Sequence, residues 1–160
     1  MDKVQYHTKE VGTTLLNSSF EERYDWISEK KKEGSVQFQE KKDLEAIDTW
    51  MQALCAYDFS KYKSREGRKK ETEKSLKIPI VNNMALAFMI LAKTTIDEAK
   101  YLDRANGLLD QVLKSEPNNE KAMLRKCGVL VDLGRIPEAR QILEKLQIIA
   151  FDRANSQAVY

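Results

Sequence analysis

Histidine occurs once in these 160 residues, cysteine twice and proline three times. A single His7 in a polar leader offers no catalytic base with a partner, which removes most acid–base and metal chemistry. Cys55 and Cys127 make neither a disulfide framework nor a metal knuckle. Lys and Arg number 27 against 25 Asp and Glu, a net charge of +2. That balance lacks the one-signed excess of a nucleic-acid coat or a polybasic membrane binder. No apolar run approaches the roughly 18 residues of a membrane span, and residues 1–20 lack the apolar centre of a secretory signal. These absences predict a soluble, cytoplasmic, non-enzymatic protein that needs no cofactor and no metal.

What is present is helical spacing. Leu108, Leu109, Val112 and Leu113 form one apolar face, and Leu124, Leu130 and Leu133 and then Ile142, Leu143 and Leu146 form others. Ser19–Glu22 and Thr95–Glu98 both read as capping boxes, in which a hydroxyl takes an early amide and a carboxylate reaches back. Pro117 with Asn118 and Asn119 ends one helix and caps the next, and Gly134 stands where a helix should stop. The reading is all-α: a flexible leader over 1–18 and helices near 19–41, 43–60, 77–92, 96–115, 119–133 and 136–150. Residues 151–160 start a seventh short helix or a tail. Between the second and third helices lies KYKSREGRKKETEKSLK, residues 61–77, with eight basic and three acidic residues. It reads as a solvated loop or a charged extension of its flanking helices, since apart from Tyr62 it lacks the aromatics that would stack on bases.

Six helices in pairs call for a repeat, and Ala105 and Ala139 are 34 residues apart, the tetratricopeptide period. In that register Gly34, Ala85 and Cys127 occupy a first small position, and Ala46, Ala105 and Ala139 a second. Trp50, Leu109 and Leu143 follow, then Ala53, Val112 and Leu146. Small residues are needed where paired helices approach closely, and large ones fill the gap a turn later.

On these residues the chain resembles a known family. KKKEGSVQFQEKKDLEAIDTWMQAL, VNNMALAFMIL and SEPNNEKAMLRKCGVLVDLGRIPEARQILEKL resemble the three repeats of a tetratricopeptide co-chaperone domain, most of all the C-terminal domain of the large FKBP-type immunophilins. Gln37 departs from the repeat pattern, with Phe38 beside it matching the co-chaperone variant. The resemblance implies three helix–turn–helix repeats, over about 19–60, 77–115 and 119–150, in a right-handed superhelical array. It implies no catalysis, because no isomerase domain is present. It also implies a groove that receives the acidic C-terminal peptide of a heat-shock chaperone, of the ninety- or seventy-kilodalton class, through a carboxylate clamp. The clamp positions fall on Lys31, Ser35, Asn83, Lys121 and Arg125; Ser35 stands where the pattern usually has Asn. Two carboxylates on one terminal residue call for cations and amide donors held on rigid helices.

Other residues read as structural. Trp50, Met84, Met89 and Met123 are expected in the core or lining a groove, Cys55 and Cys127 as buried thiols, and Tyr24 and Trp26 as a cover on the first repeat. Leu143, Ile148, Ile149 and Phe151 are expected to be exposed and to favour self-association. The rival reading is a structural subunit that docks a segment of a larger assembly without chaperone binding. A relic isomerase finds no support, and RNA binding through 61–77 ranks last.

Overall fold

The computed structural model describes residues 3–60, 62 and 68–157. Among these every regular element is helical: α1 (Lys3–Thr14), α2 (Phe20–Gln39), α3 (Asp43–Ala56), the short α4 (Lys69–Thr72), a π turn (Glu73–Lys77), α5 (Ile78–Ala92), α6 (Glu98–Ser115), α7 (Glu120–Asp132) and α8 (Ile136–Gln157). The all-α class is as expected. The chain divides into two compact units, Met1–Ala87 and Phe88–Tyr160.

In the first unit α2 starts as its sequence requires. The Ser19 hydroxyl accepts from the Glu22 amide at 3.2 Å, and the Glu22 carboxylate accepts from the Ser19 amide at 2.7 Å, which completes the capping box. Helix α2 ends in a turn where Lys42 N–H donates to the Gln37 carbonyl and Lys41 N–H to that of Phe38. Lys41 takes a φ of 64° there, a left-handed conformation that glycine reaches without penalty. The chain then returns as α3, antiparallel to α2. Trp50 is fully buried and sits over Gly34, where a Cβ would come within 2.4 Å of its ring. Ala46 and Ala53 are equally buried, so the small positions do permit the close approach that the repeat register implied.

The leader is a correction. Residues 3–14 are helical rather than flexible, and His7 and Val11 of α1 and Leu15 just after it are buried along one stripe, four residues apart as one helical face requires. His7 has a partner after all: Nε2 lies 3.2 Å from Asp48 Oδ1 on α3. Arg23 of α2 is also buried. It donates to the Leu15 carbonyl just after α1 at 2.8 Å, to the Ala56 carbonyl at the end of α3 at 2.9 Å, and to the Tyr62 hydroxyl at 3.2 Å. A guanidinium there satisfies carbonyls that helix ends leave without donors, and its charge suits the negative ends of two helices.

In its described part the insertion takes the second of its two readings, an extension of a flanking helix. Residues 61 and 63–67 lie outside the described residues, while 69–77 are helical and run into α5, so that helix starts well before 77. Lys70–Ala92 is long and apolar enough to cross a membrane by length and composition, contrary to the sequence reading, but 56% of its most apolar window is buried inside the fold, as in the core helix of a globular unit.

In the second unit Phe88, on the last turns of α5, lies 5.9 Å from Tyr101 on α6. Leu102, Ala105, Leu109 and Val112 bury one face of α6. The Thr95 hydroxyl takes the Asp97 amide at 3.3 Å instead of closing a capping box, so α6 starts at Glu98 with Asp97 before it. Asn119 caps α7 by accepting from the Ala122 amide at 3.0 Å. After α7, Arg135 N–H donates to the Leu130 carbonyl and Gly134 N–H to that of Val131, with Gly134 at φ 72°. Helix α8 does not break near 150 but continues to Gln157, so no separate seventh helix starts there. Arg153 near its end pairs with Glu120 of α7.

Candidate peptide-binding residues

Two of the expected clamp residues lie a turn apart on α2. Their setting is built around the Lys31 carbonyl, which accepts from Trp50 Nε1 at 3.2 Å and from Ser35 Oγ at 2.9 Å. The Ser35 hydrogen is therefore committed to its own helix. The hydroxyl can accept from a ligand but does not replace the amide donor that the pattern usually places there. The Lys31 side chain is half-buried. Its ammonium donates to the Ser75 carbonyl in the π turn at 2.9 Å, and Tyr24 donates to the Ser75 hydroxyl at 3.3 Å. Lys31 is thereby tied directly to the segment that leads into α5.

Asn83 lies on α5, one turn after Pro79, and is half-buried. Among the described residues its side chain has no hydrogen-bond partner. A mid-helix Asn lowers helix propensity, and no hydrogen bond among the described residues compensates for it here. Its neighbour Asn82 is buried, which leaves Asn83 as the more accessible of the two.

In the second unit Lys121 and Arg125 share one face of α7. Lys121 is exposed in the first turn and pairs with nothing among the described residues. A cation there is opposed by the positive end of the helix, so helix stability does not explain it. Arg125 is half-buried, and burial holds its guanidinium below the usual arginine value; it stays charged at neutral pH. The next cation, Lys126, is neutralised: it bonds Asn106 Oδ1 at 3.0 Å and pairs with Asp110, both on α6. The α7 surface therefore separates a basic residue used in packing from one that is unengaged.

Sequence reasoning missed the Ser75 carbonyl and the buried Arg23. For Ser75 the signal was present: Pro79 stands four residues later, where the proline nitrogen cannot supply the helical donor. For Arg23 there was none, since its acceptors are backbone carbonyls distant in the chain. Trp50, Met84 and Met123 are buried as expected, while Met89, Cys55 and Cys127 are only half-buried. Trp26 lies under the Lys30 ammonium at 5.8 Å. Among the described residues no three His, Cys, Asp or Glu side chains group as metal ligands.

Residues 98–160 match the family model described as tetratricopeptide repeat. The match starts with α6 and takes in α7, with Lys121 and Arg125, and α8; it does not extend to Lys31, Ser35 or Asn83. No curated protein matches the chain. From α6 onward the chain is therefore similar to tetratricopeptide repeats, which serve as protein–protein interaction modules.

Proposed function

We propose that the protein is a co-chaperone-type adaptor of the cytoplasm, with an immunophilin-like repeat domain that binds the acidic C-terminal peptide of a heat-shock chaperone. In this reading Lys31, Asn83, Lys121 and Arg125 supply the donors of a carboxylate clamp, and Ser35 is its weak point. The observation that carries it is the state of Lys121: an exposed cation without a partner among the described residues, one turn from the half-buried Arg125, on a helix whose third basic side chain, Lys126, is already neutralised. Two cations so placed on a rigid helix suit a terminal carboxylate, because little ordering is needed on binding.

Calorimetric titration tests it, with an acetylated peptide ending in Met-Glu-Glu-Val-Asp beside the same peptide amidated at its C-terminus. The clamp requires binding near about 1–10 μM, or roughly −7 to −8 kcal/mol, that weakens with salt and is lost on amidation. Lys121→Ala should weaken it at least about tenfold, in line with loss of a charge-assisted bond. If neither peptide binds, the reading fails.

One observation favours the structural-subunit alternative. Leu143, Ile148 and Phe151 expose apolar surface along α8, which suits docking in a larger assembly. That reading predicts binding indifferent to a free carboxyl terminus.

A further inference from the structure

The Lys31 contact has a cause that can be read from the chain. In a regular α-helix the Ser75 carbonyl would accept from the amide of residue 79. Residue 79 is proline, which has no N–H and whose ring clashes with the carbonyl four residues back. The helix widens at this point into the π turn Glu73–Lys77, closed by the Ile78 amide donating to the Glu73 carbonyl. The Ser75 carbonyl, deprived of its helical donor, instead accepts from the Lys31 ammonium at 2.9 Å. Tyr24, two turns before Lys31 on α2, bonds the hydroxyl of the same serine, so α2 holds Ser75 at two atoms. Single π turns inside α-helices are frequently found at functional positions.

We propose that Pro79 is a positioning residue for anion binding: by freeing the Ser75 carbonyl it fixes the Lys31 ammonium in place for a peptide carboxylate. This rests on the carboxylate-clamp reading above. A lysine side chain is among the most mobile in proteins, and immobilising it opposes binding. The carbonyl uses one of the three ammonium donors and leaves two for a ligand. The ordering of the side chain is thus completed during folding, before any peptide arrives.

Two measurements on the full chain test this. The first needs no ligand: the rate of acylation of Lys31 by a small amine-reactive ester, followed by mass spectrometry with the exposed neighbour Lys32 as internal reference. Lys31 should react more slowly than Lys32, and Pro79→Ala, which restores a helical donor to Ser75, should raise the Lys31 rate alone. Equal rates in the unaltered protein, or no response to Pro79→Ala, would overturn the proposal, and the first of these needs no variant to fold. The second is the peptide titration. Pro79→Ala should weaken binding about three- to tenfold, the scale of ordering one long side chain, and should have no further effect in Lys31→Ala. A proline that acted only on stability would change the melting temperature but would weaken binding alike in both backgrounds, which overturns the proposal. Tighter binding in Pro79→Ala would do so too, because the carbonyl would then be a competitor. If the unaltered protein binds no peptide while Lys31 labels slowly and responds to Pro79→Ala, the clamp reading fails and the Lys31–Ser75 contact stands.

Discussion

The hairpin α2/α3 and the hairpin α7/α8 close with the same backbone hydrogen bonds and different residues. Both turns pair an amide with the carbonyl five residues back and the preceding amide with the carbonyl three back, around one residue at positive φ. In α7/α8 that residue is Gly134, which needs no strain to be there. In α2/α3 it is Lys41, which adopts the left-handed region against its own Cβ. The filling differs as well. Trp50 is fully buried over Gly34, whereas Leu143, in the matching register position, is exposed, and Cys127, at the position matching Gly34, is half-buried. The turn geometry belongs to the backbone, while each hairpin has its own side-chain solution. It is the conventional hairpin, with glycine at the turn, that lies inside the matched repeat model.

The comparison can be broken most severely at Arg23, which has no counterpart in α7/α8. Arg23→Met should lower unfolding free energy by about 3–4 kcal/mol, since two buried carbonyls and the Tyr62 hydroxyl lose a charged donor. Urea denaturation reads the loss, and hydrogen exchange should place part of it in α1. Next comes Gly34→Ala, expected to destabilise by about 2–3 kcal/mol by driving a methyl into the Trp50 ring. Adding Trp50→Leu, the large residue that the other hairpin uses, should recover part of that loss; an unchanged deficit would show that the two pockets are not equivalent. The turns give a smaller and opposite pair. Lys41→Gly should stabilise by about 0.5–1 kcal/mol, and Gly134→Ala should destabilise by about 1 kcal/mol.

The smallest contrast is in acid. Bonds from the Ser19 amide and then its hydroxyl hold the Glu22 carboxyl below the usual glutamate value of 4.5. A lowered carboxylate contributes stability that is complete above that usual value and is lost as pH falls through the depressed one. The slope of stability against pH below about 4.5 should therefore flatten in Ser19→Ala, which removes only the hydroxyl's share, and flatten further in Glu22→Gln. Replacing Asn119, which caps α7 without titrating, should leave that slope unchanged.

Legibility followed the range of the interaction. The Ser19 capping box, the Asn119 cap and the stop at Gly134 are local, and the chain states them within a few residues. Thr95 was misread because threonine can serve either as a helix cap or as a turn acceptor for the amide two residues on, and nothing nearby decides between them. The leader was mistaken for a flexible segment because its buried stripe is only His7, Val11 and Leu15, and a histidine at one end disguises an apolar face. Its docking depends on Asp48 and Arg23, far along the chain. Helix α8 was cut short because no proline or glycine marks its end, and the pairing of Arg153 with Glu120 that ties its late turns back is distant in the chain. Of the candidate site, positions on α2, α5 and α7 could be read from register. The commitment of the Ser35 hydrogen and the seating of Lys31 could not, since both follow from how the helices pack.

The docking of α1 also decides how this protein should be handled. A fragment trimmed to begin at residue 19, the border that the repeat pattern suggests, would remove Leu15 from Arg23 and His7 from Asp48. It would expose a strip of α3 that the intact chain keeps covered. Bait made from such a fragment would collect proteins attracted to that bare helix together with any true partner, so interaction screens call for the chain from its first helix onward.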